Sequence, residues 1–377
     1  MNISRRQLIQ SSSAAALLAG IGRQAWAQAL DSTKVIAGFA PGGTADIVSR
    51  RVADKLHPGY AKSAVVENKT GAGGQIAVQF VKTAAPDGAT VLLTPMSMLG
   101  IYPHTYKKLP YDPVADLTPV SAAAIFDYGF AVGPMVPASV KTVPDFLAWC
   151  KANPGQANFG SPAAGSSPHF IGALLGRAGN VDLRHVAFRG TQPAVLDMVG
   201  GQIAAVSGPT GEFTQHVAAG KCRLLSTSGP KRSRFTPNTP TLVEQGFKDM
   251  AFTEWFGFFL PAKAPQDVVQ RLNAGIRGAL ASQDVIDGLA VSFLEPAPTS
   301  PASSAQQHTA TEAAITPAFP VFDFAAGFIA VPRVAAIWYK LYFYDRSVCG
   351  FTYECKTHRV KSVTMCNAFV RGYSQGR

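Results

Sequence analysis

The sequence predicts an α/β protein of two lobes, each built on a mainly parallel sheet flanked by helices. Short apolar runs alternate with stretches of helical periodicity between Lys34 and Thr227, and this alternation is typical of βαβ units, which form parallel sheets. The chain has 377 residues, of which 47% are hydrophobic and 15% are charged. That length and composition suit two domain-sized cores and exclude a chain that is disordered throughout.

The predicted elements fall into two blocks. The first block has strands at Val35–Phe39, Ala64–Glu67 and Ala89–Thr94, with helices at Thr44–Leu56 and Gln75–Ala84. The second block repeats the pattern. Its strands are Asn158–Ser161, Leu183–Phe188, Ile203–Ser207 and Arg223–Thr227, and its helices lie near Pro168–Arg177, Pro193–Val199 and Phe213–Ala219.

Two breaks rich in glycine and proline, around Pro110–Pro119 and Gly229–Pro240, divide the chain. A strand-like run, Phe252–Leu260, and a helical run, Gln266–Leu280, follow the second break. The economical arrangement makes lobe 1 from residues 28–127 and 251–301, with lobe 2, residues 128–250, inserted between them. Two strands then cross the junction, and a ligand is expected in the cleft, at the carboxyl ends of the strands.

Residues 1–27 have the features of an export signal. Arg5 and Arg6 precede a weakly apolar run, and Ala25-Trp26-Ala27 has the small-x-small form of a cleavage site. The paired arginines favour the twin-arginine route, although an ordinary signal with two adjacent arginines fits the same residues. Either interpretation predicts an exported protein, and no later apolar run approaches the roughly 18 residues of a membrane span.

The formal net charge of +11 overstates the basicity of the two lobes. Three arginines lie in residues 1–27, and residues 302–377 carry eight Lys/Arg against four Asp/Glu, which leaves +4 for residues 28–301. A mildly basic body is compatible with anionic ligands and falls short of the dense basic patch of a nucleic-acid-binding protein. We therefore expect no nucleic-acid partner.

The first candidate site is the turn from Phe39 to Asp46, between a predicted strand and a predicted helix. Gly42 and Gly43 allow a tight turn and a close approach of the backbone to a ligand. Thr44 and Asp46 add a hydroxyl and an acceptor beside the unpaired N–H groups of the helix start, where the helix dipole attracts anions. The alternative is a plain strand-to-helix turn in which Asp46 caps the helix.

The second candidate site is the turn from Phe159 to His169, which again follows a strand and opens a helix. Ser166 and Ser167 can cap that helix or bind oxygen atoms, and Pro168 suits its first turn. A serine nucleophile is disfavoured because the turn has no Gly-x-Ser-x-Gly elbow and no oriented base. His169 is expected to be a helix-start side chain and not a catalyst.

Other site classes lack their diagnostic residues. The first turn has no lysine of a Walker loop, and Thr70–Ile76 lacks the last glycine of a dinucleotide fingerprint. We therefore expect neither a metal nor another cofactor. Four potential zinc ligands near the C-terminus match no established zinc spacing, namely Cys349, Cys355, His358 and Cys366.

Taken in order, these turns resemble the Bug family of periplasmic receptors, the solute-binding components of tripartite tricarboxylate transporters. The resemblance covers about residues 30–301, with its motifs in family order. The motifs are Phe39–Asp46, Val65–Gly74, Ala85–Gly88, Leu117–Val120, Phe159–His169, Val199–Gln202, Pro240–Gly246 and Trp255–Gly257.

The resemblance implies a type II-like periplasmic binding protein that closes on its ligand and catalyses no reaction. The ligand would be a small carboxylate, either a di- or tricarboxylate, an acidic amino acid or an aromatic acid. A monomeric receptor would deliver it to the membrane subunits of the transporter. The family's site residues carry over to Phe39, Gly42, Gly43, Thr44 and Asp46 in lobe 1, and to Ser161, Ala163, Gly165, Ser166 and Ser167 in lobe 2.

Three departures from the family pattern stand out. Ala163 occupies a position where the family favours glycine, and Ala187–Gly190 replaces a Pro-Tyr-Lys-Gly-like segment. Residues 302–377, rich in aromatic side chains, replace an acidic amphipathic helix, so we interpret them as a frameshifted or fused tail. Two other functions share the same residues: a ligand sensor for a membrane kinase, and an exported α/β enzyme that acts on a carboxylate.

Overall fold

The computed structural model describes residues 29–305, which form two sheets flanked by helices. Lobe 1 is the six-stranded sheet with its helices, and lobe 2 is the five-stranded sheet with its helices. The predicted two-lobed α/β class is confirmed. The elements of lobe 1 that precede lobe 2 in the chain are β1 (Thr33–Ala37), α1 (Thr44–Leu56), β2 (Ala64–Asn68), a 3₁₀ turn (Ala72–Gly74), α2 (Gln75–Lys82), β3 (Thr90–Pro95), a π-helical turn (Ser97–Ile101), α3 (Tyr102–Thr105) and β4 (Leu117–Phe126).

Lobe 2 follows, and the chain then returns to lobe 1. The elements of lobe 2 are β5 (Tyr128–Val132), α4 (Val143–Ala152), a 3₁₀ turn (Pro154–Gln156), β6 (Asn158–Ser161), α5 (Ser167–Ala178), β7 (Arg184–Ala187), α6 (Thr191–Val199), β8 (Ala205–Pro209), a 3₁₀ turn (Thr210–Phe213), α7 (Thr214–Ala218) and β9 (Arg223–Thr227). The returning segment adds β10 (Glu254–Pro261), α8 (Gln266–Ala281), α9 (Gln283–Ala290) and β11 (Glu295–Pro296).

Both sheets are mixed, so the mainly parallel pairing that the sequence predicted is limited to the βαβ units. In lobe 1, with strand order β11-β4-β10-β3-β1-β2, β1 is parallel to β2 and β3, but β10 is antiparallel to β3 and β4. In lobe 2, with order β7-β6-β8-β5-β9, β6 is parallel to β7 and β8, but β5 is antiparallel to β8 and β9. The strands that connect the lobes are β4, β5, β9 and β10, and each is antiparallel to the strands with which it pairs.

The chain passes between the lobes twice. Sheet membership changes from lobe 1 to lobe 2 between Phe126 and Tyr128, and it changes back between Thr227 and Glu254. The first passage is a single residue, Asp127, so β4 and β5 follow one another almost without interruption. The residues of this junction therefore lie beside the space between the lobes.

The helices pack on the sheets through apolar faces at helical spacing. Val48, Val52 and Leu56 of α1 lie four residues apart and are buried, as expected for one face of a 3.6-residue helix. In lobe 2, α5 approaches β6 closely at Gly172, where an added Cβ would come within 2.1 Å of the Phe159 ring. Glycine permits this close approach of α5 to β6 because it has no Cβ to meet the ring.

Among residues 29–305, no helix has both the length and the apolar character that crossing a membrane requires. Within the same residues, no group of three or more His, Cys, Asp or Glu side chains could hold a metal ion. The predicted export signal and the four potential zinc ligands near the C-terminus lie outside the described residues. The predicted foreign tail also lies outside them, apart from residues 302–305, which belong to a short helical stretch at residues 301–305.

Candidate functional site

A cavity lies between the two lobes, at the carboxyl ends of several strands. It encloses about 530 Å³, counting the part that is open to solvent. Lobe 1 lines it with Phe39, Ala40, Gly43, Thr44, Ala45, Pro95, Ser97, Met98, Tyr102, Phe126 and Phe256, and lobe 2 with Tyr128, Pro162, Ser166, Pro168, Gly190, Thr191, Gln192, Pro209 and Glu212.

Asp46 shapes the lobe 1 turn. Its Oδ2 accepts hydrogen bonds from the Gly42 amide at 3.0 Å and from Arg50 Nε at 2.9 Å. Its Oδ1 accepts from Asn68 Nδ2 at 2.9 Å, and the same amide group donates to the Phe39 carbonyl at 3.1 Å. Burial alone would raise the pKa of Asp46, but the hydrogen bonds from Arg50, Gly42 and Asn68 outweigh it and lower that pKa. The ionised carboxylate therefore holds the turn and lies behind the cavity lining.

The donors of Thr44 are bound by a carboxyl group of the other lobe. The Thr44 amide and hydroxyl donate to Glu212 Oε1 at 3.1 and 2.9 Å, and Glu212 belongs to the 3₁₀ turn after β8. Glu212 Oε2 is buried and has no hydrogen-bond partner among residues 29–305. Burial raises the pKa of Glu212 to about 7, against the opposing hydrogen bonds from the Thr44 amide and hydroxyl.

The hydroxyls of the lobe 2 turn point mainly inward, onto the turn itself. Ser161 Oγ and Ser166 Oγ both donate to the Ala163 carbonyl, at 3.1 and 2.7 Å. Ser161 Oγ is also hydrogen-bonded to His185 Nε2 of β7 at 2.7 Å. The Gly165 amide donates to His169 Nδ1 at 2.9 Å, and burial lowers the pKa of His169 to about 4. A neutral imidazole can accept that bond, so His169 stabilises the turn, as expected of a helix-start side chain.

Ser167 belongs to a buried network that joins the lobes. Its Oγ donates to Glu254 Oε2 at 3.0 Å, and the same oxygen accepts from Ser97 Oγ and from the Tyr128 hydroxyl, both at 2.7 Å. Glu254 Oε1 accepts from the Trp255 amide at 3.1 Å. Burial raises the pKa of Glu254, although its four donors oppose that shift. The network links β10 of lobe 1 to β5 and α5 of lobe 2.

A third strand-to-helix turn, at Gly190 and Thr191, also faces the cavity. Gly190 has φ +125° and precedes α6 without a side-chain cap. Among residues 29–305, the amides of Thr191 and Gln192 have no hydrogen-bond acceptor. The N-terminus of α6 therefore presents unpaired donors and the positive end of its dipole to the cavity.

The remaining wall is apolar and aromatic. The rings of Phe126 and Phe256 stack with centroids 4.6 Å apart, and Phe39, Met98 and Tyr102 extend the same surface. Lys and Arg are missing from the lining. An anion in this cavity would therefore be bound by the N-termini of α1, α5 and α6 and not by a cationic side chain.

The structure separates the predicted site residues into two groups. Phe39, Gly43, Thr44 and Ser166 line the cavity. The other six do not line it. Five of them belong to the hydrogen-bonded backbone or side chains of the two turns, namely Gly42, Asp46, Ser161, Ala163 and Gly165. The sixth, Ser167, is bonded to Glu254 of lobe 1.

Sequence reasoning missed several lining residues. The pattern strand, glycine, hydroxyl, helix at Ala187–Thr191 could have identified the third turn, since it repeats the signal of the first two. Nothing local identifies Glu212, because its partner Thr44 is 168 residues away in the chain. The same holds for Glu254, which is 87 residues from Ser167.

The two-lobed fold and the cavity define a solute-binding protein of the periplasmic type. The sequence model of the family described as "Tripartite tricarboxylate transporter family receptor" matches residues 48–316. The chain belongs to this family. The resemblance predicted from the ordered motifs is thereby confirmed. Because the family consists of solute receptors, the expectation of a receptor instead of an enzyme is confirmed as well.

Curated relatives match over most of the chain. The "UPF0065 protein in gbd 5'region" of Cupriavidus necator is 32% identical over 303 residues, which are 78% of this chain and 90% of the relative. Protein BugT of Bordetella pertussis (strain Tohama I) is 29% identical over 269 residues, which are 71% of this chain and 82% of BugT.

Solved structures of similar proteins have the same fold. The periplasmic binding protein BugD is 26% identical, with a TM-score of 0.70 over 75% of this chain and 94% of BugD. The R. palustris protein Rpa4515, solved with adipate, has the same identity, TM-score and coverage. MatC from Rhodopseudomonas palustris, solved with bound malate, is 26% identical with a TM-score of 0.67 over 75% of this chain and 96% of MatC.

Proposed function

We propose that this receptor captures a small carboxylate in the cavity between its lobes and delivers it to the membrane subunits of a tripartite tricarboxylate transporter. The observation that carries the proposal is the convergence of three helix N-termini, those of α1, α5 and α6, on a cavity without a Lys or Arg in its lining. Helix N-termini attract anions through their unpaired amides and their dipoles. Relatives solved with adipate and with malate support the same ligand class.

In the proposed complex, the carboxylate accepts hydrogen bonds from main-chain amides at the helix starts, including those of Thr191 and Gln192. Such charge-assisted bonds are roughly twice as strong as neutral ones. The carbon chain of the ligand packs on the aromatic wall around Phe39. Because both lobes contribute, a bound ligand stabilises the closed arrangement by its differential affinity for it.

The ten residues predicted from the sequence divide accordingly. The proposed ligand contacts are Phe39, Gly43, Thr44 and Ser166. The others keep the two turns in shape and act on the ligand through them, namely Gly42, Asp46, Ser161, Ala163, Gly165 and Ser167.

The setting of the receptor forms part of the proposal. Residues 1–27 would direct export, by the twin-arginine route, and the mature chain would act in the periplasm as a monomer. Basic, apolar and small-residue segments in the order of an export signal support this assignment. Fractionation of cells that express the full chain should place the protein in the periplasmic fraction, and Arg5→Lys with Arg6→Lys should retain it in the cytoplasm if the route is the twin-arginine one.

The test of binding is ligand-induced thermal stabilisation with succinate, malate, adipate, citrate, L-glutamate and benzoate. At a ligand concentration of 100 Kd we expect about 2.7 kcal/mol of stabilisation, or roughly 5–10 °C for a protein of this size. Ser166→Leu, which inserts a larger side chain into the cavity, should abolish the shift. Ser63→Leu, at an exposed position, should preserve it. Equal shifts in the two variants would contradict the proposed site.

A further inference from the structure

Glu212 is the one Asp or Glu among the residues that line the cavity. The Glu212 residue is 8% exposed. Its Oε1 accepts hydrogen bonds from the Thr44 amide at 3.1 Å and from the Thr44 hydroxyl at 2.9 Å. The second oxygen, Oε2, is buried and has no partner among the described residues. A buried acceptor without a donor costs free energy. Glu212 therefore carries a carboxyl oxygen without a donor beside the cavity that the residue lines.

This acceptor lies next to an anion site. The Gln192 side-chain amide donates to the Glu212 carbonyl at 3.4 Å, so Glu212 adjoins the first turn of α6. In that turn, the amides of Thr191 and Gln192 have no acceptor among the described residues. A carboxyl oxygen without a donor and a helix N-terminus with unpaired amides are thus adjacent. An ammonium group and a carboxylate on neighbouring atoms of one ligand would satisfy both.

We infer that Glu212 determines ligand specificity: its free carboxyl oxygen accepts a hydrogen bond from a ligand ammonium group, so the cavity selects α-amino acids over the same acids without the amine. This inference rests on the proposed function, because it assumes that the ligand carboxylate occupies the α6 start. The lining contains no Lys or Arg, so the ligand ammonium is the cation that balances Glu212.

The test compares pairs of ligands that differ only by the amine. The pairs are L-leucine and 4-methylpentanoate, L-phenylalanine and 3-phenylpropanoate, and L-glutamate and glutarate. Isothermal titration calorimetry on the full chain should show the amino acid of at least one pair binding 10- to 100-fold more tightly, the range expected of a buried hydrogen bond to a charged group. In Glu212→Gln, the ratio within that pair should fall to threefold or less. Glu295→Gln, at an exposed carboxylate, should leave the ratio unchanged.

Several results would overturn the inference. Equal affinities within every pair that binds would remove the amine from recognition while leaving carboxylate capture intact. A ratio that survives in Glu212→Gln would assign the selectivity to another group. If Glu212→Gln instead bound all the acids more tightly, Glu212 would be a competitor of the ligand for the Thr44 amide and hydroxyl, and the inference would be wrong. Absence of binding by all six compounds and by the carboxylates of the stabilisation test would refute the proposed function, and this inference with it. A cooperative thermal transition of Glu212→Gln, measured in parallel, shows that the variant is folded.

Discussion

Replacing Asp46 with alanine removes the acceptor around which the lobe 1 turn is organised. Three donors lose their partner: the Gly42 amide, Asn68 Nδ2 and Arg50 Nε. The Arg50 side chain is 50% exposed, so its ion pair contributes at most about 1 kcal/mol. The other two bonds contribute about 1 kcal/mol each, and a carboxylate in the first turn of α1 adds roughly 0.5 kcal/mol through the helix dipole. We expect the unfolding free energy to fall by about 2–4 kcal/mol.

The loss should appear in both stability and binding. Urea denaturation should give the reduced unfolding free energy, and the melting temperature should drop by roughly 5–12 °C. Binding of the best carboxylate should weaken about tenfold because Phe39 and Gly43 lose the support of a fixed turn. Asp54→Ala, at an exposed position of the same helix, is the matched control and should change stability by less than about 0.5 kcal/mol. If the two variants were equally stable and bound equally well, the assignment of Asp46 as the organiser of the turn would be wrong.

Three further changes have outcomes that the structure specifies. Glu254→Ala leaves three buried hydroxyls without their shared acceptor. At about 1–3 kcal/mol for each unsatisfied buried group, it should lower the unfolding free energy measured in urea by at least about 3 kcal/mol; a loss below about 1 kcal/mol would contradict the network. The pKa of Glu212 is about 7 in the folded protein, against 4.5 for the free side chain. The folded protein therefore keeps this proton to a higher pH than the unfolded chain does. The unfolding free energy should fall by up to about 3 kcal/mol as the pH rises from 4.5 to above 7. Urea titrations across that range should show a flatter decline for Glu212→Gln, and parallel curves would refute the assignment. Gly172→Ala, which places a Cβ against the Phe159 ring, should cost about 1–3 kcal/mol, whereas Gly278→Ala in α8, with open space around it, should be neutral or slightly stabilising.

The parts of the fold that depend on local pattern could be predicted from the sequence. The helix predicted at Thr44–Leu56 has those bounds in the structure, because its apolar spacing and its glycine-rich start are both local signals. The strands at the junction depend on distant partners. Phe126 at the end of β4 pairs with Glu254 at the start of β10, and their antiparallel pairing has no signature in either segment. The mixed character of both sheets follows from such pairs and was therefore missed.

The candidate site divides along the same line. Glycine and hydroxyl patterns after strands predicted two turns, and both lie at the edge of one cavity. Such turns are visible in the sequence because a strand end and a helix start are local events. The hydrogen-bond partners of hydroxyls such as those of Thr44 and Ser167 are residues that lie far away in the sequence. Ser167 was predicted to meet the ligand, yet its Oγ bonds Glu254, which belongs to the strand returning from lobe 2 to lobe 1. Its direct contact with a ligand is thus a sequence prediction that the geometry does not favour.

A division of labour follows from these hydrogen bonds. The side chains of Asp46, Ser161 and Ser166 make hydrogen bonds within their own turns. They therefore fix the positions of the helix starts and do not themselves distinguish one ligand from another. Main-chain amides recognise a carboxylate but not the rest of the molecule that carries it. Discrimination between carboxylates must then come from the wall, where Glu212 supplies the one acidic group and aromatic rings supply the shape. Substituting wall residues would change the ligand while leaving the helix starts in place, so a receptor of this construction can change specificity without changing its fold.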